Sequence, residues 1–309
     1  MKSLFIIGNG FDLAHKLPTS YQDFHIYLKC TYPEAKESVS FMLESITLPD
    51  GGEEYKIENV VSILIDLISM AEKDGDEWKD FENNLANLDF ESYLAEMHDF
   101  LYDSNDDSGG FKMAYRNEDV STNFLKVSRQ FKELFSEWIY TIDVSNIKPL
   151  ESFENIIDIE NDIFLTFNYT SVLEDVYYAH KVFHMHGEQG GDIILGHGDT
   201  LEEGQLIGEL YVGAEYNLTE IHESLRKDTY GTIQRHKDLF ERISDVNKIY
   251  SYGFSFSDVD LPYVTEICKN IDTENVIWYL NSYGEDSDRD IYKEKIRKCG
   301  FEGKFSIFS

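Results

Sequence analysis

The spacing of apolar residues changes period along the chain. It opens with an uninterrupted apolar run, Leu4-Phe5-Ile6-Ile7, which breaks at once into Gly8-Asn9-Gly10-Phe11-Asp12. A strand buried on both faces of a parallel sheet reads as such a run. From about Pro33 to Ile147 the pattern is helical throughout: Val60, Val61, Leu64, Leu67 and Ile68 share one face, and Phe124, Leu125, Val127, Phe131, Leu134, Phe135, Trp138 and Ile139 share another. The polar stretch Tyr102 to Gly110 reads as a loop between helices. Strand-like runs then return at 163–167, 182–186, 193–195, 248–252, 275–280 and 304–308, with helical patterns at 228–246, 258–269 and 286–298. Strands alternating with helices predict an α/β, Rossmann-like, mostly parallel sheet. The expected organisation is a nucleotide-binding core from 1–30 plus 150–309, with a helical insertion over 31–149.

Composition narrows the function. The 309 residues carry a formal net charge of −32, with 42% hydrophobic and 14% aromatic residues. Such a chain can build a large core, and its acidic surface repels nucleic-acid backbones and anionic membranes. No apolar stretch reaches the roughly 20 residues needed to span a bilayer, and no secretory leader pattern is present. Cys30, Cys268 and Cys299 are too few and too scattered for a disulfide framework or a cysteine zinc site. The expectation is a cytoplasmic protein.

Four predicted strands end in polar or glycine-bearing clusters: Gly8 to Asp12, Thr166-Phe167-Asn168-Tyr169-Thr170, His184-Met185-His186-Gly187 and Gly253 to Asp258. In a parallel sheet all these ends lie on one edge, where open α/β sheets bind ligands. Glycine lets backbone N–H groups approach a phosphate closely. The Asn168 amide suits a ribose hydroxyl or a water, and equally a helix cap. His184 and His186 leave one face of a strand; His184 reads as a core histidine, His186 as a general base. Ser255 and Asp258 read either as cap residues or as contacts to a ribose. A rival set, His184, His186, His197 and Asp199, could hold a metal. A hydride-transferring dinucleotide site is disfavoured, because Leu13 stands where GxGxxG needs its third glycine.

These blocks, together with Leu17-Pro18-Thr19-Ser20-Tyr21, Leu195-Gly196-His197-Gly198 and the run to Tyr263, resemble the abortive-infection AbiH family of anti-phage proteins. At greater distance they look like the sirtuin-like NAD-binding fold, whose Thr-x-Asn and His-Gly motifs fall on Thr166, Asn168, His186 and Gly187. The resemblance implies NAD as ligand or substrate, held by Gly8, Asn9, Gly10, Phe11, Asp12, Thr166, Gly187, Gly253, Ser255 and Asp258. Asn168 and His186 are the implied catalytic pair, hydrolysing NAD to ADP-ribose and nicotinamide without a metal. The four-cysteine zinc ribbon of deacylating sirtuins is missing, which argues against deacylation. A non-catalytic nucleotide-sensing or partner-binding module is the alternative. Regulation by a phage-derived trigger or by homo-oligomer formation is implied by the biology of abortive infection.

Overall fold

The computed structural model describes residues 2–35, 43, 45–51, 53–73, 110–198, 205 and 211–309. By its internal contacts the chain falls into two compact units: Met1–Ser20, Ser136–Ile194 and Lys227–Ser309 form the first, and Tyr21–Phe135 with Leu195–Arg226 form the second.

The first unit is built on a parallel sheet. Its strands are β1 (Ser3–Ile7), β4 (Ile163–Thr166), β5 (Val182–His184), β6 (Lys248–Tyr252), β7 (Ile277–Asn281) and β8 (Lys304–Phe308); β2 (Ser45–Thr47) and β3 (Glu53–Tyr55) belong to the second unit. The spatial order is β5-β4-β1-β6-β7-β8, with every pairing parallel. Counting only these six strands, that is third, second, first, fourth, fifth, sixth: the doubly wound nucleotide-fold order, which reverses direction between β1 and β6.

The continuous apolar runs are explained by burial on both faces. Side chains alternate across a strand, so Leu4 and Ile6 enter a core with Leu165, Ile249, Trp278, Tyr263 and Ile296. Phe5 points the other way and joins an aromatic row across four strands. Its ring stacks on Phe164 at 5.2 Å and on Tyr250 at 4.8 Å, and Tyr250 stacks on Tyr279 at 4.5 Å. The register pairs these same residues, Phe5 with Phe164 and Tyr250, and Tyr250 with Tyr279. Each such pair adds about 0.5–1.5 kcal/mol beyond the area it buries. The row also locks the register, because a slip of one residue would exchange the two faces.

The second unit contains most of the helical faces read from the sequence; Trp138 and Ile139, at the end of the second face, belong to the first unit. Phe24, on the helix Tyr21–Thr31, meets Phe131 and Phe135 at 5.9 and 5.3 Å edge to face. Val60, Val61, Leu64, Leu67 and Ile68 are all buried on the helix Ile57–Lys73. Asn217 on the helix Glu215–Ser224 donates to Ser121 Oγ at 2.9 Å on the helix Gly110–Tyr140.

Three local expectations are corrected. The segment read as helical throughout contains the antiparallel pair β2–β3. Ile193-Ile194-Leu195 is not a strand: the chain reverses after Gly187 (φ 83°), and Ile194 N–H donates once to His186 O at 2.7 Å without continuing a ladder. The 228–246 pattern is two helices, Thr229–Arg235 and Lys237–Arg242, joined at His236. The polar loop at Tyr102 to Gly109 lies outside the described residues.

Candidate functional site

The C-terminal ends of β1, β4, β5 and β6 share one edge of the sheet, and they carry two buried polar groups of different character.

Between β1 and β6, where the strand order reverses, the glycines serve close packing. Gly10 N–H donates to Gly253 O at 3.0 Å, Gly8 N–H to Tyr252 O at 3.0 Å, and Phe11 N–H to Gly8 O at 2.9 Å. A Cβ on Gly8 would sit 2.5 Å from Gly253 O, and one on Gly10 would sit 2.7 Å from Gly253 Cα. Gly253 itself has φ 64°, which a Cβ penalises. The glycines therefore let two backbones touch, and two of the N–H groups expected to cradle a diphosphate, those of Gly8 and Gly10, are already donated within the protein. Asn9 is exposed, and its side chain pins the turn by donating to Thr19 O at 2.9 Å. Phe11 is fully buried against His15, Phe153 and Tyr252, which is a core position.

The first polar group joins this turn to the end of β4. Asp12 is only 1% exposed. Thr170 Oγ1 donates to its Oδ2 at 2.7 Å, while Oδ1 has no hydrogen-bond partner. Burial pushes the Asp12 carboxyl up to about 6, against the opposing pull of Thr170, Asn168 and the His184 charge. Asn168 is buried too. Its amide approaches Asp12 without completing a hydrogen bond, and both Oδ1 and Nδ2 are unpaired. Its main chain is fixed on both sides: N–H donates to Thr166 Oγ1 at 3.1 Å, and O receives His184 Nδ1–H at 2.9 Å. Thr166 thus orients Asn168 from within the strand. His184 Nε2 lies 2.9 Å from Glu174 Oε1. Burial works against the imidazolium, but Glu174, the Asn168 carbonyl and the Glu188 charge together outweigh it and raise His184 above its ordinary value.

The second group is an ion triad. His186 Nε2 lies 3.2 Å from Asp260 Oδ1 and 3.2 Å from Lys227 Nζ; Lys227 Nζ lies 3.3 Å from the same carboxylate oxygen. His186, Lys227 and Asp260 are all buried. Lys227 and His186 hold the Asp260 carboxyl down to about 2 in spite of its burial. His186 also packs its edge on Phe167, 5.0 Å between centroids. So His184 and His186, expected on one face, turn to different carboxylates.

The loop after β6 decides which of its polar residues turn inward. Phe256 adopts φ 53°, a left-handed conformation costly for an aromatic residue, and Lys295 Nζ donates to its carbonyl at 2.9 Å. Past this bend Ser257 and Asp260 are buried, whereas Ser255 and Asp258 face outward, Asp258 paired with Lys295 at 2.8 Å. Ser257 takes the N-cap position with its hydroxyl unbonded. Gly187 serves the turn after β5, where a Cβ would lie 2.0 Å from Asp192 O.

His197 lies in the second unit, its ring 4.3 Å from that of His222; Asp199 lies outside the described residues. Among the described residues no three His, Cys, Asp or Glu side chains are grouped to hold a metal ion, and no helix is long and apolar enough to cross a membrane.

Lys227 and Glu174 carried no signal in the sequence. Arg226-Lys227-Asp228 looks like a solvated charge run. Asp260 could have been found two residues after Asp258, had the left-handed turn at Phe256 been visible.

A parallel sheet in the doubly wound order, with buried polar side chains at the C-terminal strand ends, defines a Rossmann-like α/β protein with its candidate site on that edge. A family model described as Bacteriophage abortive infection AbiH matches residues 4–282. The chain belongs to that family, which points to a role in phage abortive infection. Comparison with curated proteins and with solved structures gave no match.

Proposed function

We propose that the chain acts in abortive infection by binding NAD or a related nucleotide at the C-terminal edge of the sheet and hydrolysing its N-glycosidic bond, giving ADP-ribose and nicotinamide. The observation that carries this reading is the Asn168 amide, buried at the end of β4 with neither polar atom satisfied. A buried, unpaired amide is costly in a folded protein and marks a place where a water or a ligand hydroxyl belongs. An amide donates and accepts at once, which suits a ribose hydroxyl and an attacking water. The cleavage passes through an oxocarbenium-like state as nicotinamide leaves, and fixed dipoles in a dry site stabilise it. Loss of NAD starves the infected host cell, so the reading includes a restraint lifted by a phage-derived trigger or by self-association.

The test is NAD consumption by the purified protein, wild type against Asn168→Ala, with both products quantified. Equimolar nicotinamide and ADP-ribose, falling about 10²-fold or more in the variant, is the expected result. Consumption unaffected by the substitution overturns the role of Asn168; neither consumption nor binding of NAD overturns the nucleotide reading itself.

A second reading, nucleotide sensing without turnover, draws on the glycine turn. Its Gly8, Gly10 and Phe11 N–H groups are engaged internally, which leaves the phosphate grip to other atoms. It predicts NAD or ADP-ribose binding with no product.

A further inference from the structure

Resting on the hydrolytic reading, we infer that Asp12, not His186, accepts the proton from the attacking water, with Asn168 holding that water beside it. The argument is one of free valence. His186 Nε2 has Lys227 Nζ and Asp260 Oδ1 within 3.2 Å. Both partners crowd the same ring nitrogen, so that nitrogen has no position left for an attacking water. The triad is electrically closed and holds the ends of β5 and of the loop after β6.

Asp12 differs on each count. Oδ2 is taken by Thr170, but Oδ1 is buried and open. Beside it the Asn168 amide offers one donor position and one acceptor position, both unfilled. A single O–H group placed there can donate to Asp12 Oδ1 and accept from Asn168 Nδ2. The groups that face Asp12 are Thr170 and Asn168 from the end of β4 and, through its charge, His184 from β5, itself paired with Glu174. Burial leaves the carboxyl near 6, so it is an ionised base at neutral pH and still basic enough to hold a proton in transit. In the step, the water oxygen bonds to the anomeric carbon and the C–N bond breaks. Its electron pair goes to the pyridine nitrogen, neutralising nicotinamide, and the water proton goes to Asp12 Oδ1.

The experiment compares NAD turnover across pH 4.5–8.5 for wild type, Asp12→Asn and His186→Gln, with ADP-ribose binding measured by calorimetry on each. Wild-type kcat/KM should fall below about pH 6. Asp12→Asn should lose about 10²–10⁴-fold in kcat while binding ADP-ribose within tenfold of wild type. His186→Gln, whatever its absolute rate, should keep the acid limb where it was. An acid limb that vanishes in His186→Gln and survives in Asp12→Asn overturns the inference and leaves the hydrolytic reading standing. Absence of both binding and turnover in the wild type removes that reading and the inference with it. If the wild type binds ADP-ribose without turnover, the carboxyl carbon resonance of Asp12 decides. A titration displaced by ADP-ribose in wild type but not in Asn168→Ala supports the pair, and an undisplaced titration overturns it.

Discussion

The Asp12–Asn168–Thr170 group and the His186–Lys227–Asp260 group sit on the same sheet edge, are equally buried, and differ in one respect. The triad satisfies itself: a cation, a carboxylate and an imidazole meet within 3.3 Å. The other group leaves three polar atoms open, Asp12 Oδ1 and the two amide atoms of Asn168. The triad contains more charge and the more familiar catalytic residue, yet its chemistry is spent on holding the loop after β6 in place. A candidate site is marked better by polar valence left unpaired in a dry setting than by the number of titratable side chains.

The sharpest way to break the contrast is to open the closed group. Lys227→Met strips Asp260 of its main counter-charge in a buried position, and removing one partner of such a pair costs about 3–5 kcal/mol. Urea unfolding at pH 7 should show that loss. The Asp260 carboxyl is held low, so its contribution is present above the ordinary carboxylate pKa and is lost as pH falls through about 2. The Lys227→Met defect should therefore shrink in acid.

The open group should respond to pH in the opposite sense. The folded pKa of Asp12 is raised to about 6, so the folded state binds the proton more tightly than the unfolded chain. Stability then falls as pH rises from about 4 to about 6, and a shift of that size corresponds to about 3 kcal/mol. Asp12→Asn keeps an acceptor for Thr170 and removes the ionisation. Its unfolding free energy should be flatter over pH 4–7 and higher than wild type at pH 7, and a variant that tracks the wild-type pH dependence would refute the assignment.

Thr170→Val removes the 2.7 Å hydrogen bond to the Asp12 carboxylate. A bond to a charged acceptor contributes about 1.5–3 kcal/mol, and that loss should be larger at pH 7 than at pH 4, where the carboxyl is protonated.

The smallest effect belongs to Glu174→Gln. His184 is raised, so the stability it contributes is complete below the ordinary imidazole pKa and is lost as pH rises through the folded value. The substitution should move the His184 ring titration downward in NMR, with little change in stability at pH 8.

Much of this architecture was legible before any coordinates. Leu4 to Ile7 and Ile163 to Leu165 are apolar runs because both sheet faces are covered, and that is a property of composition over a few residues. Asp286–Lys298 was readable as a helix to its ends. The convergence of Asp12, Asn168 and His186 on one edge followed from parallel topology alone. Ile193 to Leu195 misled because a short apolar run does not tell whether a neighbouring strand is available to pair.

What the sequence by itself determined, then, is the list of strands, the parallel sheet and the edge on which the polar clusters gather, because these depend on local periodicity and on the direction in which strands run. Which of those polar atoms are consumed and which stay open was decided only by tertiary structure. Lys227 reaches His186 and Asp260 from 41 and 33 positions away, Thr170 reaches Asp12 from 158, and Gly253 closes on Gly10 across the point where the strand order reverses. Hydrogen bonding is a short-range, saturable interaction, so its outcome depends on distances that no spacing along the chain encodes.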